Sequence, residues 1–340
     1  MRAHLIPGLL VLTACASSEQ AANTHTGAPA SSAVEHPWSA PALPVATSVF
    51  DGHTGQRLGF EELCDVLAEA DAVFLGETHT DETTHRAQLG IFEGLIARRG
   101  EDVVLALEMF QRDAQPLLDA YLAGELTEDA FLAQASPWNN YWAAYRPLVE
   151  RARASGQRVV GSNYPRDLAR TVSRGGAEAL EGLTEEQRAS VPAELFPNTP
   201  DYHRRVDNAI RGHLGMMGPR EPGDPRLYTT QTLWDNAMGE ACVDVLESRA
   251  GSSVLHVNGG FHSAYWDGTV RQVRLRRPET KIATVALVTS SNPGVAGVGG
   301  VPIADYVVFC EQRATDIGSA VGSGVLLWTL KTASQYPAIR

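Results

Sequence analysis

Cysteine is scarce in this chain. Its 340 residues hold only Cys15, Cys64, Cys242 and Cys310, with no Cys-x-x-Cys pair, so neither a disulfide framework nor a cysteine metal knuckle is implied. Cys64 falls in a helical pattern and Cys310 in a strand pattern, where a thiol serves as a small core filler. Positive charge is also short: 28 Lys and Arg stand against 40 Asp and Glu, for a net charge of -12. That deficit excludes nucleic acid as a partner, since phosphate binding needs clustered cations. No stretch approaches the roughly 20 apolar residues of a spanning helix, and no internal repeat is visible. A hydrophobic fraction of 44% and a charged fraction of 20% are those of an ordinary globular core.

The first residues do not read as fold. Arg2 is followed by a short apolar run, Leu5 to Leu12, and then by Leu12-Thr13-Ala14-Cys15. A short apolar run ending in small residues is an export signal. The cysteine makes it similar to a bacterial lipobox, in which Cys15 is lipidated and becomes the mature N-terminus. Ala16 in place of aspartate implies, by that similarity, an outer-membrane location in the cell envelope. Residues 16–46 are rich in Ala, Ser, Thr, Gly and Pro without hydrophobic periodicity, the composition of a disordered tether. The expected organisation is therefore a signal peptide and lipobox over 1–15, a tether over 16–46, and one folded domain over 47–340.

Within that domain, short apolar runs alternate with helical patterns. Strands are expected near Ala72–Leu75, Val103–Leu107, Arg158–Gly161 and Ser253–Val257, with further ones at Val270–Leu275, Ile282–Val288 and Tyr306–Phe309. Helices are expected over Phe60–Glu69, Glu82–Arg98, Gln115–Ala123, Thr127–Gln134, Tyr141–Ala154, Asp167–Ser173 and Tyr228–Arg249. The fold class that follows is α/β, with a mostly parallel central sheet flanked by helices. A polar, proline-broken stretch at about 184–225 reads as a helical insertion.

In open parallel sheets, ligands bind beyond the carboxyl ends of the strands. The residues before the strands, such as Ala70-Asp71 and Glu101-Asp102, are generic solvated ones. Those after them are Gly76-Glu77-Thr78-His79, Glu108, Asn163 with Arg166, and Gly259-Gly260-Phe261-His262. The chemistry-bearing residues gather at one edge, and two of the turns share a Gly-x-x-His form. Glycine permits tight turning or close backbone approach. Glu77 and His79, two apart, face the same way in an extended segment. Two imidazoles with carboxylates suit acid–base chemistry or a divalent metal such as Zn or Mn. Taken singly, each has a plainer reading as a satisfied core histidine or a capping carboxylate.

Leu75-Gly76-Glu77-Thr78-His79, Leu107-Glu108-Met109-Phe110, Asn163-Tyr164-Pro165-Arg166, Leu233-Trp234-Asp235-Asn236-Ala237-Met238 and Gly259-Gly260-Phe261-His262 together resemble the ChaN family of haem-binding lipoproteins. The resemblance runs from about Phe74 to Val288. It extends to a wider superfamily with the Tiki proteases and the erythromycin esterases, whose shared histidines fall on His79 and His262 and whose glutamate falls on Glu77 or Glu108. It implies haem as ligand, a role in iron uptake, and a homodimer in which a haem pair is held with tyrosine as iron ligand. Tyr141, Tyr145, Tyr164, Tyr202 and Tyr265 are the tyrosines to consider. His79, His85, Tyr145, Arg166 and His262 are the residues expected to touch haem, with Arg166 facing a propionate. Tyr141, Trp142, Tyr145 and Arg146 lie at helical spacing and could line a haem slot or simply pack. Met216-Met217 could ligate or pack. Asp235 could support the site through a hydrogen bond. Two other readings of Glu77, His79, Glu108 and His262 remain beside haem binding: a metal-dependent hydrolase, and an esterase-like hydrolase without metal.

Overall fold

The computed structural model describes residues 47–214, 223–288, 297–298 and 301–310. The signal peptide and lipobox, the tether, Met216-Met217 within the insertion and residues 311–340 lie outside the described residues.

The element order is β1 (Thr47–Asp51), β2 (Arg57–Leu58), α1 (Phe60–Ala68), β3 (Ala72–Glu77), α2 (Glu82–Arg99), β4 (Val103–Gln111), α3 (Gln115–Leu122), α4 (Glu128–Ala135), α5 (Tyr141–Ala144), α6 (Arg146–Ser155), β5 (Val159–Asn163), α7 (Arg166–Gly175), α8 (Glu185–Ala189), α9 (Pro200–Leu214), α10 (Pro225–Ser248), β6 (Ser253–Gly259), α11 (Thr269–Arg276), β7 (Ile282–Val288), the short pair β8 (Gly297–Val298) and β9 (Val301–Pro302), and β10 (Tyr306–Cys310). Eight strands form one sheet in the order β2-β1-β10-β7-β3-β6-β4-β5. The six from β10 to β5 are parallel, and β1 and β2 close one edge antiparallel. The expected mostly parallel α/β sheet is what the chain forms.

Side chains on a strand alternate between faces, and both faces here are covered. Val73, Leu75, Leu105, Leu107, Leu255 and Val257 face a core shared with Leu89, Phe92 and Leu148 of α2 and α6. Ala72, Phe74, Val104, Ala106 and Val254 face the other way, against Cys242 and Leu246 of α10 and Val270 and Val273 of α11. This double burial is why the strands read as unbroken apolar runs.

β6 lies between β3 and β4, although β3 ends at Glu77 and β4 at Gln111 while β6 begins only at Ser253. Three chain segments that are remote in sequence therefore end side by side at one sheet edge. The register between β4 and β5 shifts between Leu107 and Gln111. Such irregularities re-aim side chains beside functional sites, and Glu108 sits within this one.

Two expectations fail locally. Val270–Leu275 is not a strand but most of α11, with Thr269, Val270, Gln272 and Val273 buried. The β-branched valines suggest a strand, but their spacing of three is a helical stripe, and Gly268 starts the helix at φ 54°. The single helix expected over Tyr141–Ala154 is two, α5 and α6, meeting at Tyr145. Pro147, near the start of α6, cannot continue an upstream helix without losing a backbone hydrogen bond. In the insertion, α8 and α9 are helical as expected.

Candidate functional site

The two Gly-x-x-His turns pack against each other. A Cβ on Gly76 would lie 2.9 Å from Ser263 Oγ and 3.0 Å from Gly260 Cα, and one on Gly259 would lie 2.8 Å from His79 Nε2. The glycines are needed for close approach between two segments of this chain. Asp81 fixes the first turn by accepting from Thr83 N and Thr84 N, each at 2.9 Å, as the N-cap of α2.

His79 is oriented by Glu77, whose Oε1 lies 2.7 Å from His79 Nδ1. Glu77 is buried and saturated with partners. Tyr145 OH donates to Oε1 at 2.6 Å, Gln88 Nε2 donates to Oε2, and His85 Nδ1 lies 3.1 Å from Oε2. Burial alone would raise the Glu77 carboxyl. The hydrogen bonds and charges of His79 and His85 outweigh it and hold the group far below the usual carboxylate range. Burial pulls His79 down, but the Glu77 hydrogen bond and the charges of Glu108 and Glu77 leave it raised. Asn140 Nδ2 anchors the turn by donating to the His79 carbonyl at 2.7 Å, and the edge of Trp138 covers the ring at 4.8 Å between centroids.

A second dyad mirrors the first. Asp235 of α10 lies 2.7 Å from His262 Nδ1 through Oδ1. The carboxylate also accepts from Thr269 Oγ1 at 2.9 Å and from Asn198 Nδ2 at 2.7 Å. Tyr202 OH stands 3.3 Å from His262 Nδ1. Burial would lower His262, yet the charges of Asp235 and Glu108 leave it raised. Buried histidines oriented through Nδ1 by a carboxylate present Nε2 for chemistry.

Glu108 stands between the dyads. Its Oε2 accepts from Gly259 N at 2.7 Å. Its Oε1 has no hydrogen-bond partner, and neither does His262 Nε2. That oxygen lies 3.9 Å from His79 Nε2 and 3.7 Å from His262 Nε2. Glu108 is 1% exposed and His262 0%, while the His79 side chain keeps 30% of its surface open.

Glu77, His79, Glu108 and His262 therefore converge, and His85 and Tyr145 join them as partners of Glu77. Tyr141 and Tyr145 are core residues and Trp142 is exposed. Arg146 is held by Glu128 at 2.6 and 2.8 Å. Arg166 sits apart, donating to the Ser136 carbonyl at 3.3 Å and lining a separate groove of about 400 Å³ with Gln111, Gln134 and Arg170. Among the described residues, no group of three His, Cys, Asp or Glu side chains is disposed to hold a metal ion. The supports that sequence reasoning missed are Gln88, Asn140, Asn198 and Thr269. Gln88 alone carried a signal, being one helical turn beyond His85.

The sequence profile described as haem-binding uptake, Tiki superfamily, ChaN matches residues 63–273, a span holding both dyads and Glu108. The chain belongs to this ChaN family. Among solved structures, ChaN of Campylobacter jejuni with cofacial haem is similar at TM-score 0.60 and 19% identity, over 77% of this chain and 96% of that one. At that identity the likeness speaks for the ChaN fold. A mutant erythromycin esterase in its open conformation is similar at TM-score 0.41 and 13% identity, over 72% of this chain and 77% of that one, too remote to carry a functional argument. No curated protein sequence matches the chain.

Proposed function

We propose that this protein binds haem and serves haem or iron uptake at the cell envelope, anchored through a lipid on Cys15. The observation that carries the reading is membership of a haem-binding family across residues 63–273. The lipobox-like Leu12-Thr13-Ala14-Cys15 and the polar tether support the anchor, and Ala16 favours the outer membrane. A homodimer enclosing two haems is part of the same reading.

The chain's residues fit the group. An axial ligand must be reachable, because a rigid macrocycle cannot enter a packed core. Of the five tyrosines, Tyr141, Tyr145, Tyr164 and Tyr202 are buried, whereas Tyr265 is only partly so. The Arg205 guanidinium lies 4.9 Å from the Tyr265 ring centroid and is fixed by Asp267 at 2.8 Å. A cation fixed over the ring face orients the phenol. Tyr265 and Trp266 both have left-handed backbones, φ 61° and 55°, conformations that cost about 1–3 kcal/mol each and persist where the surroundings impose them. Trp266 is pinned by Asp305 at 3.0 Å and stacked on His53. Bound haem would supply the iron, Tyr265 would be the residue to ligate it, and Arg205 would hold the ring in place.

The test is a haemin titration of tag-free protein. A Soret band growing to saturation is expected, and its absence at stoichiometric haemin would refute haem binding. Tyr265→Phe should abolish the phenolate-to-iron absorption. Arg205→Met should weaken binding by roughly 10–100-fold, as loss of a ligand's supporting partner does. Cys15→Ala should move the protein from the membrane to the soluble fraction, and light scattering with haemin should show the dimer.

A further inference from the structure

A second crevice opens at the carboxyl edge of the sheet, and the haem reading leaves it unused. We propose that this groove, of about 400 Å³, binds a small zwitterion, a free amino acid or dipeptide, with its carboxylate on Arg166 and its ammonium on Asp113.

The groove is set by where three segments end. Gln111 closes β4 and leads to Asp113, Pro165 follows β5 and starts α7 with Arg166, and Ser136 caps the end of α4. Ligands of open parallel sheets sit beyond the carboxyl ends of the strands, and both β4 and β5 finish here. The volume falls within the roughly 300–1,000 Å³ of small-ligand sites. The lining includes none of Glu77, His79, Glu108 or His262, so this is a separate site from the histidine dyads.

Its charges select the ligand. Two arginines and two aspartates line the groove, which makes it formally neutral in a chain of net charge -12. They are not all paired off. Arg170 holds Asp167 at 2.9 Å. Arg166 and Asp113 are left over, and among the described residues neither has an ion-pair partner. The side-chain hydrogen bond of Arg166 is a long one, 3.3 Å to the Ser136 carbonyl. A guanidinium has five donors in a fork that fits a carboxylate through two parallel bonds, so Ser136 leaves most of that capacity open. An ionised aspartate accepts only, which suits an ammonium. Opposite charges that share a groove without meeting suit a ligand that carries both charges itself. A dianion such as haem would meet Asp113 and Asp167, and a simple cation would meet Arg166. Leu117 and Ala114 give an aliphatic side chain an apolar wall. Gln134 gives its amide nitrogen to the Ala130 carbonyl at 3.0 Å, which keeps its own oxygen for a peptide N–H.

Isothermal titration of the haem-free, tag-free protein with leucine and with Ala-Leu should give saturable binding. N-acetyl-Ala-Leu lacks the ammonium and Ala-Leu amide lacks the carboxylate, and each should bind at least tenfold more weakly. Arg166→Met should weaken Ala-Leu by about 10–100-fold, the reach of hydrogen bonds to a charged group, and should erase the difference between Ala-Leu and its amide. Asp113→Asn should erase the difference between Ala-Leu and its N-acetyl form. Both side chains are exposed, so both variants should keep the wild-type melting transition. One equivalent of haemin should leave the Ala-Leu affinity unchanged, so the groove stands or falls apart from haem binding. No saturable binding across leucine, glutamine and Ala-Leu, blocked peptides that bind as tightly as the free one, unchanged affinity in both variants, or displacement of Ala-Leu by haemin would overturn the proposal.

Discussion

Two buried histidines six residues apart on one stretch of chain have opposite characters. His256 sits within β6, fully buried, with neutral neighbours: Ser162 Oγ at 3.0 Å from Nε2 and Asn258 Oδ1 at 3.1 Å from Nδ1. Burial pushes it down to about 4, so it is an uncharged core residue with both ring nitrogens engaged. His262, just past the end of β6, is equally buried, but Asp235 lies at 2.7 Å. That charge with the charge of Glu108 reverses the shift, and Nε2 is left without a partner. Burial does not distinguish the two. A carboxylate behind one ring nitrogen and an open position at the other set His262 apart from His256, whose ring nitrogens are both engaged.

The comparison breaks most severely at Asp235. Asp235→Asn removes the charge that offsets His262 burial, and stripping one partner from a buried ion pair costs about 3–5 kcal/mol. Urea denaturation should show a loss of that size. Gly259→Ala comes next. Its Cβ would meet His79 Nε2 at 2.8 Å and Cε1 at 3.1 Å, and overpacking of this kind costs about 1–3 kcal/mol. It should also displace His79 from Glu108 and lower the denaturation midpoint. At His256, Ser162→Ala removes one neutral hydrogen bond, worth about 1 kcal/mol, and should leave haem absorption untouched.

The smallest effect is that of pH. His79, His85 and His262 are raised above 6.5 in the folded chain. Each contributes stability that is complete below 6.5 and is lost as pH rises through its folded value. Glu77, held below its ordinary 4.5, contributes stability that is present above 4.5 and lost as pH falls beneath it. His256 acts the other way from its raised neighbours, since its unfolded form takes up a proton between 6.5 and about 4. Thermal melts should therefore show the midpoint falling as pH rises above 6.5, and Asp235→Asn should flatten that limb.

The sequence carried much of this through the strand-end rule. Glu77 closes β3, Glu108 lies near the end of β4, and His79 and His262 follow β3 and β6 within three residues, and the unbroken apolar runs mark the strands that deliver them. What it could not carry is which residues brace the array. Gln88, Asn198 and Thr269 come from helices and turns with no motif of their own, and a side chain that donates to a buried carboxylate looks the same in sequence as one in solvent. Tyr145 shows the converse. It resembled a haem ligand by residue type, but the break between α5 and α6 turns its hydroxyl onto Glu77. His256, unremarked in a strand pattern, differs from His262 only through partners supplied by β5 and its own strand.

The most direct measurement is nitrogen-detected NMR of the histidine side chains across pH 4 to 9, with His256→Gln and His262→Gln variants to assign the two signals. His262 should stay imidazolium above pH 6.5 and lose that character in Asp235→Asn, while His256 stays neutral down to near pH 4. A neutral His262 at pH 6, titrating together with His256, would contradict the account.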